Sequence, residues 1–136
     1  MRCLCLVVVT LAIASVLGCQ DSERESGAIN KSDVPTVSNV RLNPSEEPDH
    51  NVLMRWSNPD FEGFENVKVS RSSDSFPENP NDGDSIYEGT EQRHEDRENV
   101  VPGTVYYYSF FVFDSDGNHS KSVQEQTRVP NGSGRR

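Results

Sequence analysis

Two short acidic stretches hold oxygen-bearing side chains of the kind that could bind a hard cation. They are Asp114, Asp116 and Asn118 in DSDGN, and Asn81, Asp82 and Asp84 in NDGD. Carboxylate and amide oxygens are the ligands that Ca²⁺ takes in proteins. Neither stretch has the alternating acids and distal Glu of an EF-hand loop, whereas Asp-Gly pairs are common in hairpin turns. The spacing therefore favours turns over a calcium site, and we predict no bound metal and no other cofactor.

The three histidines are the other candidates for chemistry, as acid–base groups. His50, His94 and His119 stand singly along the chain, and no HExxH, Gly-x-Ser-x-Gly or Gly-rich phosphate loop is present. A small hydrolase that used His94 with the neighbouring acids would lack a recognisable nucleophile. The alternative for His94 is a solvated, charged loop, and we predict that the protein is not an enzyme.

The composition is that of a polar and acidic chain. Of its 136 residues, 32% are hydrophobic and 26% are charged, and the formal net charge is -9. A negative protein repels the phosphates of nucleic acid, and the 13 Lys and Arg residues are scattered along the sequence. We therefore expect no nucleic-acid partner, and the length leaves room for one domain.

The first 18 residues have the pattern of a secretion signal. Arg2 precedes a charge-free apolar run from Leu4 to Leu17, which is shorter than the roughly 20 residues of a spanning helix. The sequence VLGC at 16–19 resembles the lipobox of bacterial lipoproteins. That resemblance implies that Cys19 is lipidated and becomes the mature N-terminus. The alternative is an ordinary signal cleaved after Ala14, which leaves Cys19 as a free thiol.

The cysteine usage fits attachment to a membrane through lipid on Cys19. Cys3 and Cys5 lie in the removable segment, so Cys19 is left alone and no intrachain disulfide forms. Several acyl chains, as the lipoprotein resemblance implies, hold a protein stably on a membrane. Gln20 stands where lipoproteins retained at the inner membrane often carry Asp. The expected location is the cell envelope, and the outer membrane if the cell has two.

Polar segments enclose a patterned central region. We predict a signal peptide at 1–18, lipidated Cys19 with a disordered tether at 19–33, a domain at 34–130 and a polar tail at 131–136. Within the domain, short apolar segments are separated by turns that contain Gly and Pro. Their apolar positions are Val40 and Leu42, then Val52, Met54 and Trp56, then Val67 and Val69, then Ile86 and Tyr87. A weaker run passes through Val123, Thr127 and Val129. This pattern predicts an all-β antiparallel sandwich.

The stretch YYYSFFVF at 106–113 holds six aromatic residues in eight positions. Such a run is typical of a central strand, whose residues have neighbours on both sides. Alternation directs the even-numbered residues to one face and the odd-numbered residues to the other, and if the even set faces the core, Tyr106, Tyr108, Phe110 and Val112 fill it. Tyr107, Phe111 and Phe113 then lie on the outer face, where they are candidates for an exposed binding surface. The favoured alternative is that they merely suit the strand and are covered by the aliphatic parts of Arg and Lys side chains from neighbours such as Lys68.

This part of the chain resembles fibronectin type III domains of the bacterial type. The matching residues before the aromatic run are Val100, Pro102, Gly103, Thr104 and Tyr106, which are similar to the family stretch L-x-P-G-T-x-Y. Trp56 in VLMRWSNP and the segment NDGDSIYEGT match other family positions. The resemblance covers about residues 34–130 and implies an immunoglobulin-like sandwich of about seven strands. Residues 91–99, EQRHEDREN, carry charges where the family has a Ser/Thr-rich fifth strand.

The resemblance implies structural roles and a class of function. Tyr106 is expected to form a tyrosine corner, in which its hydroxyl bonds to the backbone upstream. The expected structural core also includes Trp56, Tyr108, Phe110, Pro102 and Gly103. The expected function is a non-catalytic module for interaction with a protein partner or for spacing. The alternative is a carbohydrate or cell-wall binding module, because bacterial domains of this fold often accompany polysaccharide-degrading enzymes.

Overall fold

A computed structural model describes residues 33–46 and 48–132. The predicted signal peptide, Cys19 and nearly all of the predicted tether lie outside the described residues, as do residues 133–136. Within the part that is described, no helix is long and apolar enough to cross a membrane.

The described residues form seven β-strands in two antiparallel sheets. The strands are β1 (Ser38–Pro44), β2 (Val52–Ser57), β3 (Phe64–Ser72), β4 (Asp84–Gly89), β5 (Arg93–Asp96), β6 (Val105–Asp114) and β7 (Val123–Arg128). One sheet has the order β1-β2-β5 and the other has the order β4-β3-β6-β7. The predicted all-β antiparallel sandwich of about seven strands is confirmed. The charged segment 91–99 contains the short strand β5, which pairs with β2 from Val52↔Asp96 to Arg55↔Arg93.

The core lies between the two sheets and is made by the residues that alternate inward. Val52, Met54 and Trp56 of β2 face Val67 and Val69 of β3 across the sandwich, and all five are buried. The inward set of β6 completes this layer: Tyr106, Tyr108, Phe110 and Val112. Trp56 contacts Phe110 edge to face, with ring centroids 5.4 Å apart. Burial of large apolar side chains on this scale is the main favourable term in folding.

The strand register places the chain entry at one pole of the sandwich. Ser38 at the start of β1 pairs with Ser57 at the end of β2, and Val34 and Val37 just before β1 are buried in the core. We call this end the entry pole, and it also carries the connections at 58–63, 90–92 and 115–122. The opposite pole carries the connections at 45–51, 73–83 and 97–104.

The two edges of the sandwich differ in how the sheets meet. At one edge β1 and β7 run close together. At the other edge β4 and β5 meet through side chains, among them the ring contact of Tyr87 with His94 at 5.0 Å. We call the second edge the open edge.

Candidate functional site

The outer face of the four-stranded sheet is covered by the connection at 73–83, which we call the strap. Ser70 of β3 and Ser109 of β6 are direct cross-strand partners at the centre of this face. The Ser70 hydroxyl donates a hydrogen bond of 2.9 Å to the carbonyl oxygen of Pro80, and the Ser109 hydroxyl donates one of 2.7 Å to that of Pro77. Both serines are fully buried. Two small hydroxyl side chains thus make room for the strap and hold it against the sheet.

The candidate binding surface of Tyr107, Phe111 and Phe113 is not exposed at its centre, because Phe111 is completely buried, as the alternative of coverage predicts. Its cross-strand neighbour Lys68 bonds to Asn81 of the strap through Nζ, at 3.0 Å. A loop distant in sequence and a lysine stem therefore occupy the outer face where the alternation alone predicts solvent. Tyr107 and Phe113 remain half-buried.

The two half-buried aromatics have separate surroundings. Tyr107 contacts Phe76 of the strap edge to face at 5.0 Å. Phe113 contacts the ring of His119 at 5.5 Å, near the entry pole. Beside Phe76 lies a hollow of about 610 Å³, whose polar lining includes Asp74, Glu78 and Gln124. The aromatic surface is therefore two patches rather than one stripe.

A buried ion pair joins the two sheets near the opposite pole. Arg71 of β3 is 4% exposed, and its Nη1 donates to both carboxylate oxygens of Asp96 of β5, at 3.0 and 2.8 Å. The Tyr108 hydroxyl donates to Asp96 Oδ2 at 2.9 Å. A buried carboxylate needs such partners, since an unpaired buried charge is very costly. This pairing explains why a strand as charged as β5 fits the sandwich.

Arg71 also ties down the loops around it. Its Nη2 bonds to Asp84 at the start of β4 at 3.0 Å, and its Nη1 bonds to the backbone oxygen of Glu98 at 2.9 Å. Its guanidinium carbon lies 4.9 Å from the centre of the Tyr106 ring. Burial lowers the pKa of Arg71, but the bond to Asp84 and the charge of Asp96 more than offset that effect, so the pKa is raised. Arg71 therefore remains charged at any physiological pH.

The phenol of Tyr108 stays protonated for a related reason. Burial raises its pKa, and the adjacent Asp96 carboxylate raises it further. Tyr108 is thus a permanent donor to Asp96.

Sequence reasoning missed Arg71 and Asp96. The sequence contains a signal that Arg71 is buried, because it lies on the same strand face as the apolar residues Val67 and Val69. For Asp96 no local signal exists, since RHED reads as a solvated charged segment. Only the pairing of β5 with β2 brings Asp96 inward.

Tyr106 has the hydrogen bonds of a tyrosine corner. Its hydroxyl accepts a bond of 3.0 Å from the Val101 amide and donates one of 3.1 Å to the Asn99 carbonyl oxygen. The expectation that Pro102 and Gly103 belong to the core needs correction: Pro102 is exposed and Gly103 is half-buried, because both lie in the turn before β6. Gly103 adopts a φ of 79°, in the left-handed region that favours glycine.

The two acidic stretches use their carboxylates inside turns. Asp114 accepts bonds from the amides of Asp116 and Asn118 and from the Asn118 side chain. These bonds, above all that from the Asn118 side chain, lower the pKa of Asp114. In the strap, Asp82 accepts bonds from the amides of Glu78 and Asn79. Across residues 33–46 and 48–132, no group of three or more His, Cys, Asp or Glu side chains could hold a metal ion.

The three histidines are distributed over different parts of the fold. His50 lies in the connection before β2, His94 lies in β5, and His119 packs against Phe111 and Phe113. His94 borders a cleft of about 610 Å³ along the open edge, between β4 and β5. The fold therefore gives each histidine its own environment.

Comparison with known proteins gives matches among solved structures. No family model matches the chain, and no curated protein matches it. The solution structure of the fourth fibronectin type III domain of a human protein matches 86% of this chain and 94% of that domain, at 17% identity and a TM-score of 0.57. The fold is that of a fibronectin type III domain.

A second match is the spore cortex lytic enzyme SleM of Clostridium perfringens. The match to SleM covers 70% of the present chain, at 14% identity and a TM-score of 0.50. The matched region makes up 27% of SleM. At these identities the likeness extends to the fold alone.

Proposed function

We propose that the protein is a membrane-anchored lipoprotein that displays one non-catalytic fibronectin type III-like module at the cell envelope, for protein interaction or for spacing. Its anchor is lipid on Cys19. Gln20 follows the cysteine where lipoproteins retained at the inner membrane often carry Asp, and this supports the outer membrane as the location in a cell that has two membranes.

The observation that carries the proposal is the position at which the chain enters the sandwich. Val34 and Val37 are buried at the entry pole, directly after the polar segment that follows Cys19. A lipid on Cys19 would attach the domain to the membrane at its entry pole, through the predicted tether of residues 19–33. The strap and the loops fixed by Arg71 lie away from this attachment point and would stay accessible to a partner.

Lipidation is tested by metabolic labelling with a palmitate analogue in the native host. We expect label on the wild-type protein in the membrane fraction, and loss of both label and membrane attachment in Cys19→Ser. Cys3→Ser and Cys5→Ser are matched controls, because those cysteines lie in the predicted signal peptide. Label that persists in Cys19→Ser, or a wild-type protein released from membranes, would contradict the anchor.

The interaction role is tested by photo-crosslinking in the same host. Photoreactive residues at Ser75 and Asn79, which are exposed on the strap, probe the opposite pole, and positions Tyr107 and Phe113 probe the two aromatic patches. Lys31 in the tether is the control. A discrete protein crosslinked from the domain and not from Lys31 is the result expected of an interaction module. Absence of any such adduct would leave spacing as its role.

The second candidate is a carbohydrate or cell-wall binding module, and the hollow beside Phe76 favours it. An aromatic ring next to carboxylate and amide side chains suits a ligand with both apolar ring faces and hydroxyl groups. The test is to titrate the protein with soluble cell-wall glycan fragments and to record its NMR spectrum at each step. Shifts confined to the strap, Tyr107 and Gln124 would favour this candidate, and an unchanged spectrum would remove it.

A further inference from the structure

His94 is the outermost ring of an aromatic series that runs from the open edge into the core. Its ring centre lies 5.0 Å from that of Tyr87, Tyr87 lies 5.4 Å from Trp56, and Trp56 lies 5.4 Å from Phe110. His94 belongs to β5 and Tyr87 belongs to β4, so their contact joins the two sheets. A change at His94 is therefore two ring contacts away from Trp56.

On its other side His94 borders the cleft of the open edge, which is rich in charge. The charged and titratable groups around it are Asp84 and Tyr87 of β4, Arg71 of β3, Glu95 and Asp96 of β5, and Arg97 and Glu98 of the following loop. Its β2 partner, Met54, is uncharged. Asp96 is paired with Arg71, and Glu95 with Arg97 at 2.8 Å. The carboxylates in this set outnumber the arginines, so the cleft attracts a cation.

The two environments of His94, the Tyr87 ring and the charged cleft, favour different protonation states of its imidazole. Burial lowers the pKa of His94, and this effect exceeds the opposite influence of the Asp96 and Glu95 charges and of a hydrogen bond to the backbone of Ile86 in β4. The unfolded chain therefore takes up this proton first as the pH falls through about 6.5, and the closed packing loses stability below that value. The half-buried contact with Tyr87 favours the neutral ring, whereas the excess of carboxylates in the cleft favours the imidazolium.

We propose that His94 is a proton-operated latch between the two sheets at the open edge. The neutral ring packs on Tyr87 and closes the edge. The protonated ring turns toward the carboxylates of the cleft, and the edge opens locally beside Trp56, while Arg71 keeps Asp96 of β5 and Asp84 of β4 in place. This device is independent of the lipid anchor and of any partner.

The test uses Trp56, the one tryptophan of the chain, as the reporter. Its fluorescence in the full-length protein in detergent is quenched with acrylamide from about pH 8 to about pH 5, the range in which histidines titrate. We expect the quenching constant to rise as the pH falls, with one midpoint below the ordinary histidine value of about 6.5. The same midpoint is expected in the NMR titration of the His94 ring.

Three variants separate the latch from general acid effects. His94→Gln is expected to keep a low quenching constant throughout, and His94→Lys to have a high one even at the alkaline end. His119→Gln, at the entry pole, is the matched control and is expected to behave as wild type. A flat wild-type profile, or a rise that persists in His94→Gln, would overturn the proposal. If His94→Lys does not fold, the wild-type and His94→Gln profiles decide the matter.

Discussion

The two faces of β6 are both buried, but by different means. The inner residues Tyr108 and Phe110 are covered by the other sheet, and burial of such side chains contributes about 1.5 to 3 kcal/mol each. On the outer face, Ser109 bonds to the strap and Phe111 contacts His119. The strap is held by two hydroxyl-to-carbonyl bonds, worth about 0.5 to 1.5 kcal/mol net each. Because the strap is a single loop whereas the inner cover is a whole sheet, we expect the strap to open while the core stays intact.

The largest effect is expected on the inner face, from Trp56→Ala. Trp56 is 4% exposed and contacts both Tyr87 and Phe110, so its removal leaves a large cavity. We expect a loss of about 4 kcal/mol in the free energy of unfolding, measured by urea denaturation followed by circular dichroism. A midpoint equal to that of wild type would refute the central place of Trp56 in the core.

The next effect is expected at the polar end of the same face, from Asp96→Ala. The substitution leaves Arg71 buried without its main partner and Tyr108 without an acceptor, and we expect a loss of about 3 kcal/mol in urea melts.

A double variant, Arg71→Met with Asp96→Leu, sharpens this prediction. Replacement of a buried ion pair by apolar residues of similar size is often neutral, so we expect the double variant to be more stable than Asp96→Ala. A double variant at least as unstable as the single one would mean that the ion pair itself stabilises the fold.

A smaller loss is expected at the start of β6, from Tyr106→Phe. The ring still fills the core, but the Val101 amide and the Asn99 carbonyl each lose a partner. We expect a loss of about 2 kcal/mol, measured in the same urea melts. Tyr107→Phe is the control, since the adjacent hydroxyl lies on the outer face, and it should melt close to wild type.

The smallest effect is expected on the outer face, from Ser109→Ala. The Pro77 carbonyl loses its donor, which costs about 1 kcal/mol. Hydrogen exchange should rise in the strap but not around Trp56, because the strap opens separately from the core. Ser73→Ala, at an exposed position, is the control. Equal increases in both regions would show that the two covers are one cooperative unit.

The sequence predicts the inner face of β6 well and its outer face poorly, for a physical reason. Alternation follows from strand geometry alone, so Tyr106, Tyr108 and Phe110 share one face. The tyrosine-corner resemblance of Tyr106 assigns that face to the core. Burial of the outward residues of β6 depends on where residues 77–80 pack, and tertiary structure determines that position. A local hint exists at Ser109, which interrupts the aromatic run of residues 106–113.

The charged strand β5 illustrates a second limit. The residues RHED lack strand propensity, and their place in a sheet depends on Val52 to Arg55 as partners and on Arg71 as counter-ion. Neither the pairing with β2 nor the ion pair with Arg71 can be predicted from residues 93–96 alone. The anchor at Cys19 differs again, since it is a prediction from residues outside the described part of the chain.

The position of β6 in the chain also sets the order in which the domain can form during synthesis. Its pairing with β3 joins Val67 to Val112, so the central ladder of the larger sheet closes over a long intervening segment. Until β6 has emerged, β3 has only β4 beside it, and the core lacks the rings of Tyr106, Tyr108 and Phe110. A nascent chain that ends before β6 would therefore stay unfolded, and the domain would fold in a late and concerted step.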